Sequence, residues 1–194
     1  MRRSIISLAC LFLLHTGYSQ KQDSCISGVY ITKEDFSHNH LSHKINTGEK
    51  GTKLEFSFPA DLTLAVKIIT PDTTLKFEAG SIYGFNDCGK VFRYFRGGKE
   101  LNAQEDYYKV EEVGGLVIYS SAFVSDEEIF YSLSYDSPIH RITMENLKDD
   151  FKNYPDFIEA AKKLSSQPGD GLATRDEKGH FKINILYHDL VKNN

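Results

Sequence analysis

From Thr52 onward, apolar and polar positions alternate. Leu54, Phe56 and Phe58 have polar neighbours, and Leu62, Leu64, Val66 and Ile68 repeat the pattern. A period of two marks a strand with one face buried. Between the two runs, Pro59-Ala60-Asp61 marks a turn, a bulge or a sheet edge. Pro71-Asp72 opens a turn, and Leu75 with Phe77, then Ile82 to Phe85, read as further strands. Asn86-Asp87-Cys88-Gly89 predicts a tight hairpin, because Asn, Asp and Gly tolerate the positive φ that such turns require. Its partner strand is Val91 to Arg96. Asp106 to Glu112 and Gly115 to Phe123 read as a second hairpin joined at Gly114-Gly115, followed by a strand over Glu127 to Tyr135. Upstream of all of these, Ser27 to Thr32 reads as the first strand, and residues 33–51 read as a polar loop or a short irregular element.

Helical spacing enters only near the end. Thr143 fits an N-cap with Glu145 in the first turn, and Leu147, Phe151, Tyr154, Ile158 and Ala161 share one helical face. Pro155 removes a hydrogen bond from the middle of that stripe, so the pattern predicts two short helices, the second capped by Asn153 with Pro155 in its first turn. Ser165 to Gly171 reads as a loop. Phe181, Ile183 and Ile185 alternate, which predicts a last strand over Phe181 to Tyr187. The expected fold class is mostly β (α+β). An antiparallel meander forms a barrel or a sandwich and carries a short C-terminal helical element near residues 143–165.

The first 19 residues follow a different pattern. Arg2 and Arg3 precede the apolar run Ile5 to Leu14, and Gly17 and Ser19 supply small residues before Gln20. This is the order of a secretory signal peptide. The run has about half the roughly 20 apolar residues that a membrane-spanning helix needs. Cys10 lies within the run and is followed by Leu11, Phe12, Leu13 and Leu14, a poor setting for lipidation. The expected organisation is a signal peptide at 1–19 and a single β-rich domain at 20–194. Localisation is then exported, periplasmic or extracellular, with no membrane span.

Composition adds little to this but excludes some partners. The chain has 23 Lys and Arg against 27 Asp and Glu, a net charge of −4. Without Arg2 and Arg3 the balance is 21 against 27, a net of −6. No basic stripe is available to displace phosphate counterions, so nucleic acid is not an expected partner. Removing Cys10 leaves Cys25 and Cys88, an even count that fits one disulfide in an oxidising compartment. No phosphate-cradling loop or dinucleotide fingerprint is present.

Three stretches carry a resemblance. Gly80 to Phe95 (GSIYGFNDCGKVFRYF), Gly115 to Tyr119 (GLVIY) and Ser137 to Leu147 (SPIHRITMENL) are similar to uncharacterised exported proteins of Bacteroidota. The similarity covers roughly residues 26–165. It implies no activity, cofactor or site residue.

Candidate chemistry falls into four groups. His38, His40 and His43 lie within six residues, with Glu34 and Asp35 just upstream. Imidazoles so close can converge on a divalent metal if the loop folds back. His180, His188 and Asp189 offer a His beside a carboxylate, the pairing that general-base chemistry uses; no Gly-x-Ser-x-Gly nucleophile elbow accompanies them. Carboxylates come in clusters at Glu105 and Asp106, Glu111 and Glu112, and Asp126 to Glu128, but neighbours on a strand point to opposite faces. Tyr83, Tyr94, Tyr107, Tyr108 and Tyr119 fit either a groove for sugar or peptide or the core and half-buried positions of a sheet. Arg93 and Arg96 fit either an anion site or cross-strand pairing with Glu111 or Glu112. The function these features lead us to expect is a non-catalytic exported domain that binds an envelope protein or a small ligand. The alternative is a metal-dependent hydrolase built on the loop from His38 to His43.

Overall fold

The computed structural model describes residues 24–57, 64–96, 105–121, 128–166 and 171–193. The expected signal segment, the alternating residues Phe58 and Leu62, and the carboxylates Asp126 and Glu127 lie outside the described residues, as do the side chains of Arg96 and Glu105.

Eleven strands form among the described residues: β1 (Ile26–Tyr30), β2 (His43–Asn46), β3 (Lys53–Ser57), β4 (Ala65–Ile69), β5 (Thr74–Glu78), β6 (Gly84–Asp87), β7 (Lys90–Arg96), β8 (Glu105–Val113), β9 (Val117–Ser121), β10 (Ile129–Ser132) and β11 (His140–Arg141). An eight-stranded sheet runs in the order β11-β10-β9-β8-β7-β6-β1-β2, and a three-stranded sheet runs β3-β4-β5. Every ladder is antiparallel. The large sheet is a meander from β6 to β11, with β1 and β2 added beside β6. It stays open, because β11 and β2 are its two edges. The barrel alternative therefore does not form. The small sheet instead covers part of one face.

Alternation along each strand divides the large sheet into two packed faces. On one face Val29, Phe85 and Tyr107 meet Leu64, Val66 and Ile68 beneath the three-stranded sheet. Further along that face, Ile118 and Tyr131 pack against Leu147, Phe151, Phe157, Ala161, Phe181 and Ile183 of the C-terminal region. The opposite face carries Tyr108, Val117, Tyr119 and Phe130, with Ile139 over them.

Cys88 and Gly89 form the two-residue loop between β6 and β7, at φ values of 51° and 88°. These left-handed angles match the twist of tight hairpins. Cys88 is bonded to Cys25, with a Cα–Cα distance of 5.2 Å across 63 positions of sequence. The disulfide ties the start of β1 to the hairpin tip.

Two expectations are corrected. Residues 33–51 contain a helical turn, α1 (Lys33–Ser37), as well as β2. Thr32 and Asp35 form a capping box, and Phe36 buries its ring among Tyr30, Tyr83 and Tyr135. The expected final strand is a helix, α4 (Lys182–Tyr187), which follows α2 (Met144–Asp150) and α3 (Pro155–Ser165). The apparent alternation fails at Ile185, which is 37% exposed, whereas Phe181 and Asn184 are buried at a spacing of three. Thr143 caps α2 as expected, through a 3.2 Å bond from the Asn146 amide. Two short helices form as expected, with Pro155 in the first turn of α3, but its N-cap is Tyr154, not Asn153.

Candidate functional site

The histidine loop lies at the β2 edge of the large sheet. The capping box fixes Asp35, whose Oδ2 accepts hydrogen bonds from the Ser42 hydroxyl at 2.7 Å and the Thr32 amide at 3.3 Å. Its Oδ1 lies 2.9 Å from His40 Nδ1. The bonds from His40, Ser42 and Thr32 hold the Asp35 carboxyl at about 2, well below its ordinary 3.8. An ionised carboxylate only accepts, so Nδ1 of His40 carries the hydrogen and Nε2 is the ring's outward nitrogen. His38 turns back to its own helical turn, with Nδ1 2.8 Å from the Glu34 carbonyl. His43 belongs to β2, pairs in register with Val29 and lies beside the Phe77 ring, 5.5 Å between centroids. The three imidazoles therefore go three ways. Among the described residues, no group of three His, Cys, Asp or Glu side chains is placed to hold a metal ion.

One of the three does line a cleft. Ile26, Asn39, His40, Leu41, Lys44 and Asn86 enclose a cavity of about 380 Å³. Its shape follows from the register: Gly28 of β1 pairs with Lys44 on one side and Asn86 on the other. Gly28 lets the β1 backbone approach β2 closely. The glycine is obligatory, since a Cβ there would lie 2.2 Å from the His43 carbonyl oxygen. Asn39 closes the wall in the left-handed conformation, φ 53°, which Asn tolerates better than most residues. The Tyr30 hydroxyl holds it by donating to its Oδ1 at 2.6 Å. The Asn86 amide hydrogen-bonds the same hydroxyl, and its Oδ1 accepts from the Gly89 amide at 2.7 Å.

No protein-family model, curated protein or solved structure matches the chain. The geometry alone must therefore carry the functional reading.

A second cleft gathers candidates that the sequence left scattered. Glu112, Gly114, Gly115, His180, Asn184, Ile185, His188, Asp189 and Lys192 line a cavity of about 440 Å³. Here α4 runs into a π-helical turn, His188–Lys192, a rare geometry that recurs at functional sites. Both carboxylate oxygens of Glu112 are engaged. Its Oε2 accepts from the Phe181 amide at 2.8 Å, and its Oε1 accepts from Asn184 Nδ2 at 2.7 Å. His180 Nδ1 stands 3.8 Å from Glu112, and His188 Nδ1 stands 3.5 Å from Asp189. Nearby, Glu111 occupies a bulge of β8 between Val110 and Glu112. Burial raises its carboxyl, but bonds from Lys109 and Ser120 outweigh this and leave it lowered.

The remaining candidates do not form a site. Tyr94 and Tyr107 lie on the face beneath the small sheet, and Tyr108 and Tyr119 lie on the other. Adjacent strand residues cannot share a face, so no tyrosine groove forms. Arg93 does not reach Glu111 or Glu112. It is 5% exposed, pairs in register with Tyr108, and donates to the Tyr119 hydroxyl at 3.0 Å and the Ser137 carbonyl at 3.1 Å. Rings of Tyr83, Phe95 and Tyr119 surround its guanidinium at 5.5 to 5.9 Å. What sequence reasoning missed was Asn39, Lys44 and Asn86. The visible signal was Gly28 within a strand, a mark of close approach or open space.

Proposed function

We propose that the chain is an exported domain that acts by binding, and that the cleft between Lys44 and Asn86 seats a small ligand. Export is supported by the pattern of Arg2, Arg3 and Ile5 to Leu14 and by the bond between Cys25 and Cys88. Among the described residues no helix is long and apolar enough to cross a membrane. The observation that carries the binding reading is the preorganised wall of the cleft: the Tyr30 hydroxyl links Asn39 and Asn86, and Asp35 orients His40. Polar groups fixed in advance lose less entropy on binding. The scattering of His38, His40 and His43 gives the metal-dependent hydrolase no geometric support.

Two measurements test this reading. The intact mass of the protein recovered from the exporting host should begin at Gln20 and be two hydrogens below the reduced value; a mass that retains Met1 to Ser19 rules export out. Equilibrium dialysis against a small-molecule extract of that host should concentrate a compound on the native protein and not on Asn39→Ala. Retention that survives both Asn39→Ala and Asn86→Ala moves the ligand seat elsewhere.

A further inference from the structure

We infer that the ligand of this cleft is a small organic carboxylate with an apolar tail, an inference that rests on the cleft being the ligand seat. The argument comes from which hydrogen-bonding groups are already engaged. An asparagine amide offers two donors and one acceptor oxygen. The Asn39 oxygen accepts from Tyr30, and the Asn86 oxygen accepts from Gly89. Each amide oxygen thus accepts a bond within the protein and one Asn86 N–H is engaged by the Tyr30 hydroxyl, which leaves the other N–H groups for a ligand. Lys44, exposed at the rim, adds an ammonium group with three donors. Among the described residues no carboxylate lines the cleft, in a chain whose net charge is −4. Asp35 faces Nδ1 of His40 and the Ser42 hydroxyl instead. Among the described lining residues the cleft thus holds an ammonium group and amide N–H donors and no carboxylate. A carboxylate pairs with the ammonium and accepts from the N–H groups through charge-assisted bonds.

The rest of the lining sets the tail. Ile26 is 45% exposed, unusual for a residue of its type, and with Leu41 it offers an apolar wall beside the polar groups. A cavity of about 380 Å³ lies near the small end of the range for ligand sites, which begins at about 300 Å³. The ligand is therefore compact, with the carboxylate toward Lys44, Asn39 and Asn86 and a short aliphatic part on Ile26 and Leu41.

Three probes of equal length separate the possibilities: butyrate, butyramide and n-butylamine, titrated while the side-chain amide signals of Asn39 and Asn86 are followed by NMR. Butyrate should move both signals saturably, and butylamine should move neither. Lys44→Gln should weaken butyrate about tenfold or more and leave butyramide unchanged. Lys44 is exposed, so this variant should unfold at the native temperature. Butyramide or butylamine binding as tightly as butyrate overturns the carboxylate and leaves the cleft as the seat. If no probe moves the signals but a host compound is still retained through Asn39, the carboxylate again falls alone. If no probe binds and nothing is retained, both readings fall.

Discussion

Asn184 is 4% exposed, yet none of its amide hydrogen-bonding capacity is wasted. Its Oδ1 accepts from the Leu116 amide at 2.8 Å, and its Nδ2 donates to Glu112 at 2.7 Å and to the Leu116 carbonyl at 3.3 Å. One side chain thus fastens α4 to the turn between β8 and β9. Asn184→Ala strands these buried groups, and urea denaturation should show a loss of about 2 to 4 kcal/mol. Asp106 behaves in the opposite sense. Burial pushes its carboxyl up to about 6, against a lowering bond from the Tyr107 amide. An acid whose folded value lies above its ordinary 3.8 favours the folded state most below that value and loses that contribution as pH rises toward 6. Asp106→Asn keeps an acceptor for the Tyr107 amide but has no charge to bury. Its melting temperature should exceed the native one at pH 8, and the difference should shrink as pH falls and vanish by about pH 3. Asp35 runs the other way: its lowered carboxyl stabilises the fold above 3.8 and stops doing so as pH falls toward about 2.

At the scale of elements, legibility followed how much of each segment's pattern was its own. The hairpin at Cys88 and Gly89 was readable because positive φ is a local demand, met by local residues. Thr143 was readable because capping involves only its own first turn. Thr143→Ala should cost about 1 kcal/mol in thermal unfolding. The last helix was not readable, because six residues hold less than two turns, and Phe181, Ile183 and Ile185 satisfy a strand pattern equally well. Docking decided it: a Cβ on Gly115 would lie 2.0 Å from the Tyr187 ring, so helix and turn fit only with glycine there. Gly115→Ala should therefore destabilise by about 1 to 3 kcal/mol through overpacking. Replacing Cys25 and Cys88 together by Ala opens a loop of 63 positions and should cost about 4 kcal/mol in the chain-entropy account, read by chemical denaturation without reductant.

Over the whole molecule, one open sheet is covered twice on one face, by β3 to β5 at one end and by the C-terminal helices at the other. Strands β7, β8 and β9 sit in the middle of the sheet order, and β2 and β11 at its edges. Hydrogen exchange should be slowest for amides of β8, paired on both sides, and fastest on β2 and on β5, an outer strand of the small sheet. One cleft lies beside β2 at the sheet edge, the other where α4 meets the turn between β8 and β9.

Alone, the sequence determined that strands would dominate, where most of them lie, that helix comes late, and that Cys25 and Cys88 are available to each other. Each of these depends on periodicity, turn chemistry or counting, properties carried by neighbouring residues. Only the tertiary structure decided that the sheet stays open, that His38, His40 and His43 part company, and that His180, His188 and Glu112 meet in one cleft. It alone set Lys44 and Asn86 on either side of Gly28. The physical reason is register: residues 42 positions apart in sequence become neighbours when strands pair, and pairing is selected by the burial of whole faces rather than by any signal at the residues that end up lining the site.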